Sequence, residues 1–258
     1  MIAVGTVNIL DVPVGMYTMT SLLARMEELI AAPGCAVAYY VNAHALNLTS
    51  RYPDYLEALR RADLVYADGA SLLLAAAFLG GRLPEKLTTT DVWPKACEMA
   101  TRRGFRFFLL GGDAGVAEQM KVRTVERYPA LQIVGTHHGY FEIGDEELVP
   151  TINAVHPDIL WVGMGDPKQV FWAEAVKKRL EVGLVVTCGG MFNFISGRIS
   201  RAPHWLSDHG FEWLYRLVTE PRRLSQRYLL GLPTFGARAL AQRFLGHRGE
   251  RTSKLSRL

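Results

Sequence analysis

The feature of this 258-residue chain that most constrains its fold is a repeated alternation of short apolar runs with segments of helical periodicity. The apolar runs lie at 36–41, 64–66, 105–110, 131–135, 159–163 and 183–187. Strands that alternate with helices at this spacing predict a mostly parallel sheet with helices on both faces. We therefore expect a Rossmann-like, doubly wound α/β fold. Weak alternation over residues 1–14 predicts an edge hairpin before it, and an apolar stripe over 18–32 predicts a first helix.

In a sheet of this kind, the residues that follow the strands share one edge, where open α/β folds bind their ligands. The sequence places glycines and polar side chains at each of these positions. These segments are Asn42, Asp68, Gly111 with Gly112, 136–140, 165–169 and 189–193. They form the predicted site.

Asp68 ends the run Leu-Val-Tyr-Ala and is followed by Gly69 and an apolar helical segment. A carboxylate at the end of a strand could serve as a general base or as a ligand anchor. The alternative is that Asp68 caps the helix that follows, a common role for Asp.

Gly111 and Gly112 end an apolar strand at the start of a helix, an arrangement in which backbone N–H groups and the helix dipole hold a phosphate. The pattern is not a full Gly-x-Gly-x-x-Gly, and no acid follows the next strand. This argues against a nicotinamide dinucleotide and leaves a mononucleotide diphosphate. Tyr140 could stack on a base, or it could pack on the core. The adjacent His137 and His138 diverge too far to share a zinc ion.

Further polar groups lie in the loops after the last two strands. Lys168 and Gln169 follow Gly165 and Pro167 at a helix start, where they could bind phosphate or sugar hydroxyls, although a surface lysine is usually only solvated. Gly189 and Gly190 precede Asn193, whose amide can both donate to and accept from a ribose or sugar. Lys86 and Asp91 lie between strands near Asp68, and Asp91 is more simply explained as part of a helix cap.

The charge of the chain is concentrated at its C-terminal end. Residues 198–258 carry twelve Lys or Arg against four Asp or Glu, whereas the whole chain has a net charge of only +4. Arginines mixed with Trp and Tyr suit a diphosphate at a membrane surface, although a solvated charged helix is the alternative. We therefore divide the chain into an α/β domain, 1–196, and a basic, aromatic C-terminal appendage, 197–258. The appendage contains no recognised nucleic-acid-binding motif.

Other features of composition narrow the class of protein. The three cysteines are far apart and predict neither a disulfide framework nor a zinc site, which fits a reducing cytosol. No signal peptide or run of about 18 apolar residues is present, so we expect a soluble or peripheral protein.

Taken together, the ordered motifs resemble the WecG/TagA/CpsF family of bacterial glycosyltransferases, glycosyltransferase family 26. The resemblance runs from about Val41 to Tyr228. The motifs are Asn42, Ala67-Asp68-Gly69, 108–112, Gly139-Tyr-Phe, Gly165-Asp-Pro-Lys-Gln, 189–194, Arg201-Ala-Pro, Glu212-Trp-Leu-Tyr-Arg and Glu220-Pro-Arg-Arg-Leu.

The resemblance implies an inverting, metal-independent enzyme without a cofactor. It would move a sugar from a UDP-sugar to a polyprenyl-diphosphate-linked saccharide in cell-surface polysaccharide synthesis, at the inner face of the bacterial cytoplasmic membrane. Asp68 would be the catalytic base, with Lys86 and Gln169 in the reaction centre and Asn42 beside the sugars. Tyr140 would lie by the uracil and Asn193 by the ribose. The appendage would hold the acceptor diphosphate through Arg216, Arg222, Arg223 and Arg227.

The chain departs from the family pattern around the sugar and nucleotide pocket. Tyr40 replaces a frequent Thr, Lys86 a frequent Arg, Thr89 a common Gly, Val170 the usual Glu, and Asn193 a common Asp. The donor sugar is therefore left open among N-acetylmannosamine, its uronate and a hexose such as glucose, as is assembly into a homo-oligomer. The alternative function is a catalytically silent nucleotide-sugar or lipid-diphosphate binding protein on the same fold.

Overall fold

The computed structural model describes residues 4–141, 148–200, 217, 225 and 229–255. Its strands are β1 (Thr6–Ile9), β2 (Val12–Gly15), β3 (Ala36–Val41), β4 (Leu64–Ala67), β5 (Arg106–Gly111), β6 (Gln132–His137), β7 (Ile159–Gly163) and β8 (Leu184–Thr187). Its first helices are α1 (Met19–Ala31), α2 (Ala43–Leu48), α3 (Pro53–Arg61), α4 (Ala70–Phe78) and α5 (Thr89–Arg103). The later helices are α6 (Val116–Arg127), α7 (Leu148–Ala154), α8 (Lys168–Val176), α9 (Met191–Ile195) and α10 (Gly231–Leu255).

These strands form one sheet in the order β1-β2-β4-β3-β8-β7-β5-β6. β1 and β2 pair as the antiparallel edge hairpin that the first residues predict, and the other neighbouring strands pair in parallel. Since the parallel strands point the same way, their carboxyl ends lie along a single edge. The Rossmann-like α/β fold expected from the sequence is confirmed.

Both faces of the sheet are buried, and successive strand residues alternate between them. Val37, Tyr39 and Val41 of β3 pack in one core with α2, α3, α4, α7 and α8. Ala36, Ala38 and Tyr40 pack in the other core with α1, α5, α6 and α9. This explains why the central strands have continuous apolar sequences and not an alternating pattern.

The ends of the helices follow from local hydrogen bonding. Thr18 caps α1 and Thr88 caps α5, each accepting a hydrogen bond from the backbone N–H three residues later. α5 ends at Gly104, whose φ of +74° favours glycine. Thr88 also donates to the Asp91 carboxylate at 2.6 Å, so Asp91 belongs to the cap.

α10 returns to the N-terminal half of the chain and packs on α2. Phe235 and Ala239 are each 5% exposed, and Phe235 belongs to the core beneath α2. The Arg238 guanidinium donates to the Leu46 carbonyl and, at 3.1 Å, to the Thr49 hydroxyl. Gln242 accepts from the Leu10 N–H at 2.8 Å. The first part of α10, from Gly231 to Gln242, is therefore bound to the α/β domain.

No helix in the described ranges combines the length and apolar character needed to cross a bilayer.

Candidate active site

Asp68 and Asn42 lie side by side at the carboxyl edge of the sheet, because β4 and β3 are neighbours in register. Val41 pairs with Ala67, and the Asp68 N–H donates to the Val41 carbonyl at 2.7 Å. Each residue is the first after its strand. The prediction that these two positions converge is therefore met in the structure.

The Asp68 carboxylate is half-buried and held on both oxygens. The Thr89 backbone N–H donates to Oδ1 at 3.1 Å, and the Asn42 amide contacts Oδ2 at 3.4 Å. Thr89 is the first residue of α5, where the N–H groups have no partner within the helix and the dipole favours a negative charge. The carboxylate is therefore fixed in place while remaining partly accessible.

The orientation of the Asn42 side chain is set by its own helix. Its Oδ1 accepts from the N–H groups of His44 and Ala45, both at 3.1 Å, so Asn42 is the N-cap of α2. Because the amide oxygen is used for capping, the Nδ2 group must face Asp68. A helix cap thus orients the donor beside the carboxylate.

The alternative role for Asp68, capping the helix that follows it, is not the one observed. α4 begins after Gly69, and no side chain caps it. The carboxylate instead receives the N–H from α5, 21 residues later in the chain. Asp68 therefore joins two separate elements at the edge of the sheet.

Lys86 lies in the loop that leads into α5, and its side chain is half-buried. The carbonyl of the next residue, Leu87, accepts from the Gly69 N–H at 2.8 Å. This bond brings the loop against the turn that carries Asp68. Lys86 is thereby one residue from the point at which this loop contacts the turn after Asp68.

Gly111 and Gly112 lie where β5, β7 and the loop after β6 meet. The Gly112 N–H donates to the Gly163 carbonyl at 3.1 Å, and the Gly139 N–H donates to the Gly112 carbonyl at 2.8 Å. A Cβ added to Gly111 would lie 2.6 Å from the Gly163 oxygen. Gly111 is therefore needed for the close approach of two strand ends, whatever it contributes to ligand binding.

Lys168 and Tyr140, both predicted to bind substrate, meet at the loop after β6. The Lys168 ammonium donates to the carbonyls of Gly139 and Phe141 at 2.9 and 3.0 Å and lies 5.0 Å from the centre of the Phe141 ring. Tyr140, which lies between Gly139 and Phe141 in the sequence, is 70% exposed. Lys168 therefore fixes the loop that carries Tyr140, a role that the sequence did not reveal.

Gln169 is fully buried and links two loops of the site. Its Oε1 accepts from the Gly189 N–H at 3.1 Å, and its Nε2 donates to Asp166 Oδ1 at 2.9 Å. The Tyr40 hydroxyl donates to Asp166 Oδ2 at 2.7 Å. Within the described residues, this network connects the ends of β3, β7 and β8.

Asp166 and Tyr40 have roles in the site that the sequence did not assign to them. The signal for Asp166 was its position in a strand-exit loop, before Pro167 and between Gly165 and Gln169. Tyr40 was noted only as a replacement for a frequent Thr near the pocket, and its hydrogen bond was not foreseen because a tyrosine in an apolar strand is expected to pack in a core. Its hydroxyl reaches a loop 126 residues away in sequence.

The remaining predicted residues occupy the expected edge. Gly165 has a φ of +77°, and its carbonyl accepts from the Gln169 N–H at 3.0 Å. Gly189 follows β8, Gly190 precedes α9, and Asn193 within α9 is half-buried. Arg216, Arg222, Arg223 and Arg227 lie outside the described residues. Their predicted contact with the acceptor diphosphate stays a prediction.

The hydroxyl of Tyr66 and the thiol of Cys188 near the site, and the thiol of Cys35 at the opposite end of β3, all have raised pKa values. Burial, followed by the nearby Asp68 charge, raises the pKa of Tyr66 well above its usual value. Burial, followed by the Asp166 charge, raises the pKa of the Cys188 thiol well above its usual value. Burial also raises the pKa of Cys35, to about 11. These two thiols are therefore not activated nucleophiles.

Among the residues that the structure describes, no group of three or more His, Cys, Asp or Glu side chains is arranged to hold a metal ion.

The site thus consists of a half-buried carboxylate at the carboxyl edge of a doubly wound sheet, beside glycine-rich strand ends. This arrangement is typical of an enzyme that binds nucleotide-linked substrates. The model of the glycosyl transferase WecG/TagA/CpsF family matches residues 7–249. The chain belongs to this family of glycosyltransferases.

Curated relatives from three strains of Staphylococcus aureus, NCTC 8325 / PS 47, COL and MSSA476, are each 27% identical to the chain over 231 residues. The matched region covers 89% of this chain and 90% of each relative. Each relative is named N-acetylglucosaminyldiphosphoundecaprenol N-acetyl-beta-D-mannosaminyltransferase.

The pairing of Asn42 with Asp68 generates a prediction about pH dependence. Asn42→Asp keeps a good N-cap but places a second carboxylate about 3.4 Å from Asp68. Two neighbouring carboxylates release their last proton at higher pH than one carboxylate does. Since a base must be deprotonated to act, the acidic limb of the profile of kcat/KM against pH should move up by about one pH unit or more.

Asn42→Ser is the matched control, because serine also caps a helix but adds no charge. Its acidic limb should remain near that of the wild type. An Asn42→Asp profile that overlays the serine profile would show that the essential ionisation does not involve Asp68.

Proposed function

We propose that this protein is an inverting glycosyltransferase that moves a sugar from UDP to a polyprenyl-diphosphate-linked saccharide, with Asp68 as the general base. The observation that carries the proposal is the carboxylate at the sheet edge, held by the Thr89 N–H at 3.1 Å and still partly exposed. A carboxylate oxygen can accept more than one hydrogen bond, so Asp68 can be bonded to the protein and still receive a hydroxyl proton.

The reaction is a single displacement. Asp68 takes the proton of the acceptor hydroxyl while that oxygen forms a bond to the anomeric carbon of the donor. The bond between this carbon and the UDP oxygen breaks, and UDP leaves with the electron pair. Attack opposite the leaving group inverts the anomeric configuration.

The leaving diphosphate needs positive charge, which this chain can supply. The glycine-rich turn after β5 leads into α6, whose first N–H groups and dipole favour an anion. Lys86 lies on the loop beside Asp68, and the appendage carries further arginines. In the proposed mechanism these groups stabilise UDP without a metal ion.

The acceptor is assigned by similarity to the S. aureus relatives, whose name specifies a diphosphoundecaprenol-linked N-acetylglucosamine. The proposed donor sugar is N-acetylmannosamine, its uronate or a hexose such as glucose. The proposal places UDP along the ends of β5, β6 and β7, with Tyr140 by the uracil and Asn193 by the ribose. Gln169 would act by fixing the loop after β8 against the loop after β7.

A membrane surface as partner is supported by the outer face of α10. Leu240, Phe244 and Leu245 are 48%, 65% and 63% exposed, whereas Phe235 and Ala239 face the core. The exposed positions from 233 to 241 on this helix carry no charged side chain. An apolar helix face beside a basic segment suits attachment to an anionic bilayer, where a lipid-linked acceptor would be found.

The role of Asp68 is tested by Asp68→Asn, which keeps the size of the side chain and can still accept from the Thr89 N–H. Loss of a general base should lower kcat by about 100- to 10,000-fold, with the Kd for the UDP-sugar changed little. UDP release from a panel of UDP-sugars with a short-chain lipid-diphosphate acceptor measures the first quantity, and calorimetry measures the second.

Asp63→Asn is a suitable control, since Asp63 accepts from the Val37 N–H at 2.9 Å at the opposite end of β3 and should retain turnover. An Asp68→Asn enzyme with wild-type kcat would remove Asp68 from the role of base. Wild-type protein that binds the substrates but releases no UDP would support the silent binding protein instead.

The membrane contact is tested by replacing Leu240 and Phe244 with serine. Both side chains point away from the core, so the fold should be retained while attachment to anionic liposomes falls at least tenfold. Val122→Ser is the control, because Val122 is 51% exposed on α6, a helix of the other face. Equal co-sedimentation of the double variant and the wild type would contradict a membrane role for this face.

A further inference from the structure

A second cleft lies between α5, α6 and α9, on the face of the sheet opposite α10. Its volume is about 650 Å³, which is within the range of small-molecule sites. Thr90, Trp93, Arg123, Thr124, Arg127 and Tyr128 contribute to its walls. The proposed reaction uses none of these side chains.

Two hydroxyl groups in the wall of this cleft are buried without a hydrogen-bond partner. Thr124 is 3% exposed, and neither its hydroxyl oxygen nor that of Tyr128 finds a partner among the described residues. A threonine within a helix can bond the carbonyl one turn before it, as Thr101 does to Cys97 at 2.8 Å. Buried polar groups are normally paired, so these two hydroxyls are groups that a ligand packed into the cleft would satisfy.

The cleft also carries positive charge. Arg123 and Arg127 are four residues apart and share one face of α6. Neither forms an ion pair within the described part of the chain, and Glu126 is the acidic residue in the same wall. A Cβ at Gly197 would collide with the Arg123 guanidinium, so a glycine at that position leaves room for the arginine.

The remaining wall is apolar and aromatic. Pro94 of α5 and Phe194 and Ile195 of α9 line the cleft together with Trp93, whose ring is mostly buried against the core. Such a surface can pack against the C–H face of a sugar ring, while hydroxyls bond its polar edge and guanidinium groups bind a phosphate or carboxylate. A bare inorganic anion would leave the apolar wall unused.

We propose that this cleft binds an anionic saccharide, a phosphorylated or carboxylated sugar, at a site separate from the nucleotide pocket. Arg123 and Arg127 bind the charged group, and the hydroxyls of Thr124 and Tyr128 bond the sugar. The cleft begins close to the reaction centre, because the Thr90 hydroxyl lies 3.0 Å from that of Thr88, and the intervening Thr89 holds Asp68. A sugar bound there would contact the first turn of the helix that positions the carboxylate.

The experiment measures binding to the full-length protein by calorimetry. The probes are N-acetylglucosamine 1-phosphate, glucuronate, neutral N-acetylglucosamine and inorganic phosphate. One of the two anionic sugars should bind at least tenfold more tightly than both the neutral sugar and inorganic phosphate. Whether the phosphorylated or the carboxylated sugar binds more tightly identifies the charged group that the cleft prefers. Inorganic phosphate binding as tightly as either sugar would overturn the assignment of a saccharide.

Variants locate the bound sugar. The double change Arg123→Gln with Arg127→Gln should weaken binding at least tenfold, whereas Arg102→Gln, an exposed arginine of α5, should not. Thr124→Val should weaken binding several-fold yet melt no lower than the wild type without ligand, because the lost hydroxyl had no partner. Thr101→Val, which loses a paired hydroxyl, should melt lower and bind normally. Unchanged binding by the arginine and Thr124 variants would reject the cleft.

Two further measurements separate this site from the proposed function. Binding of the anionic sugar should persist in Asp68→Asn and in the presence of saturating UDP. Displacement of the sugar by UDP would place it in the nucleotide pocket and overturn a separate site.

Discussion

The site depends on the hydrogen bond from the Thr89 N–H to the Asp68 carboxylate, 3.1 Å long. It joins the end of β4 to the start of α5, and the Gly69 N–H bond to the Leu87 carbonyl closes the same loop from the other side. A helix N-terminus is a favourable place for a negative charge, so the carboxylate is held by a group that stabilises its ionised form. The segment between them, which includes α4 and Lys86, is thereby closed into a loop whose two ends meet at Asp68 and Gly69.

Around this bond, the neighbouring strand ends are tied together by buried polar contacts. Asn42 uses its oxygen to cap α2 and its nitrogen to face Asp68. Gln169 bonds Asp166 and the Gly189 N–H, and Tyr40 bonds Asp166 as well. Networks of satisfied buried groups resist rearrangement, because breaking one bond leaves another group unpaired. The loops that would surround a nucleotide-linked sugar are thus fixed before it binds.

The fold was largely predictable because its strands are continuous apolar runs. Ala36–Val41 and Ile159–Gly163 were predicted with the ends that the structure has, since Asn42 follows the first and a glycine ends the second. β6 was predicted to end at residue 135, but it continues through Thr136 to His137 because pairing with Leu109 and Leu110 extends it. The hydropathy pattern of the sequence does not predict backbone pairing of this kind.

The details of the site were less accessible from sequence, for a physical reason. The edge position of Asp68 follows from a local pattern, but the bond from Tyr40 to Asp166 joins residues 126 apart and depends on how β3 and β7 flank β8. Likewise, a lysine at a helix start suggested a phosphate ligand, yet Lys168 bonds two carbonyls of the loop at 139–141. Local patterns placed the residues on the edge, and tertiary packing decided their partners.

The central claim is that Asp68 receives the proton of the acceptor hydroxyl. The most direct measurement is a crystal structure of the protein with UDP and a short-chain lipid-diphosphate saccharide that resembles the acceptor. The account predicts that the reacting hydroxyl lies about 2.6–3.2 Å from an Asp68 carboxylate oxygen, with the UDP diphosphate on the opposite side of the space left for the donor sugar. An acceptor hydroxyl bound beyond the reach of Asp68, with another basic group against it, would contradict the account.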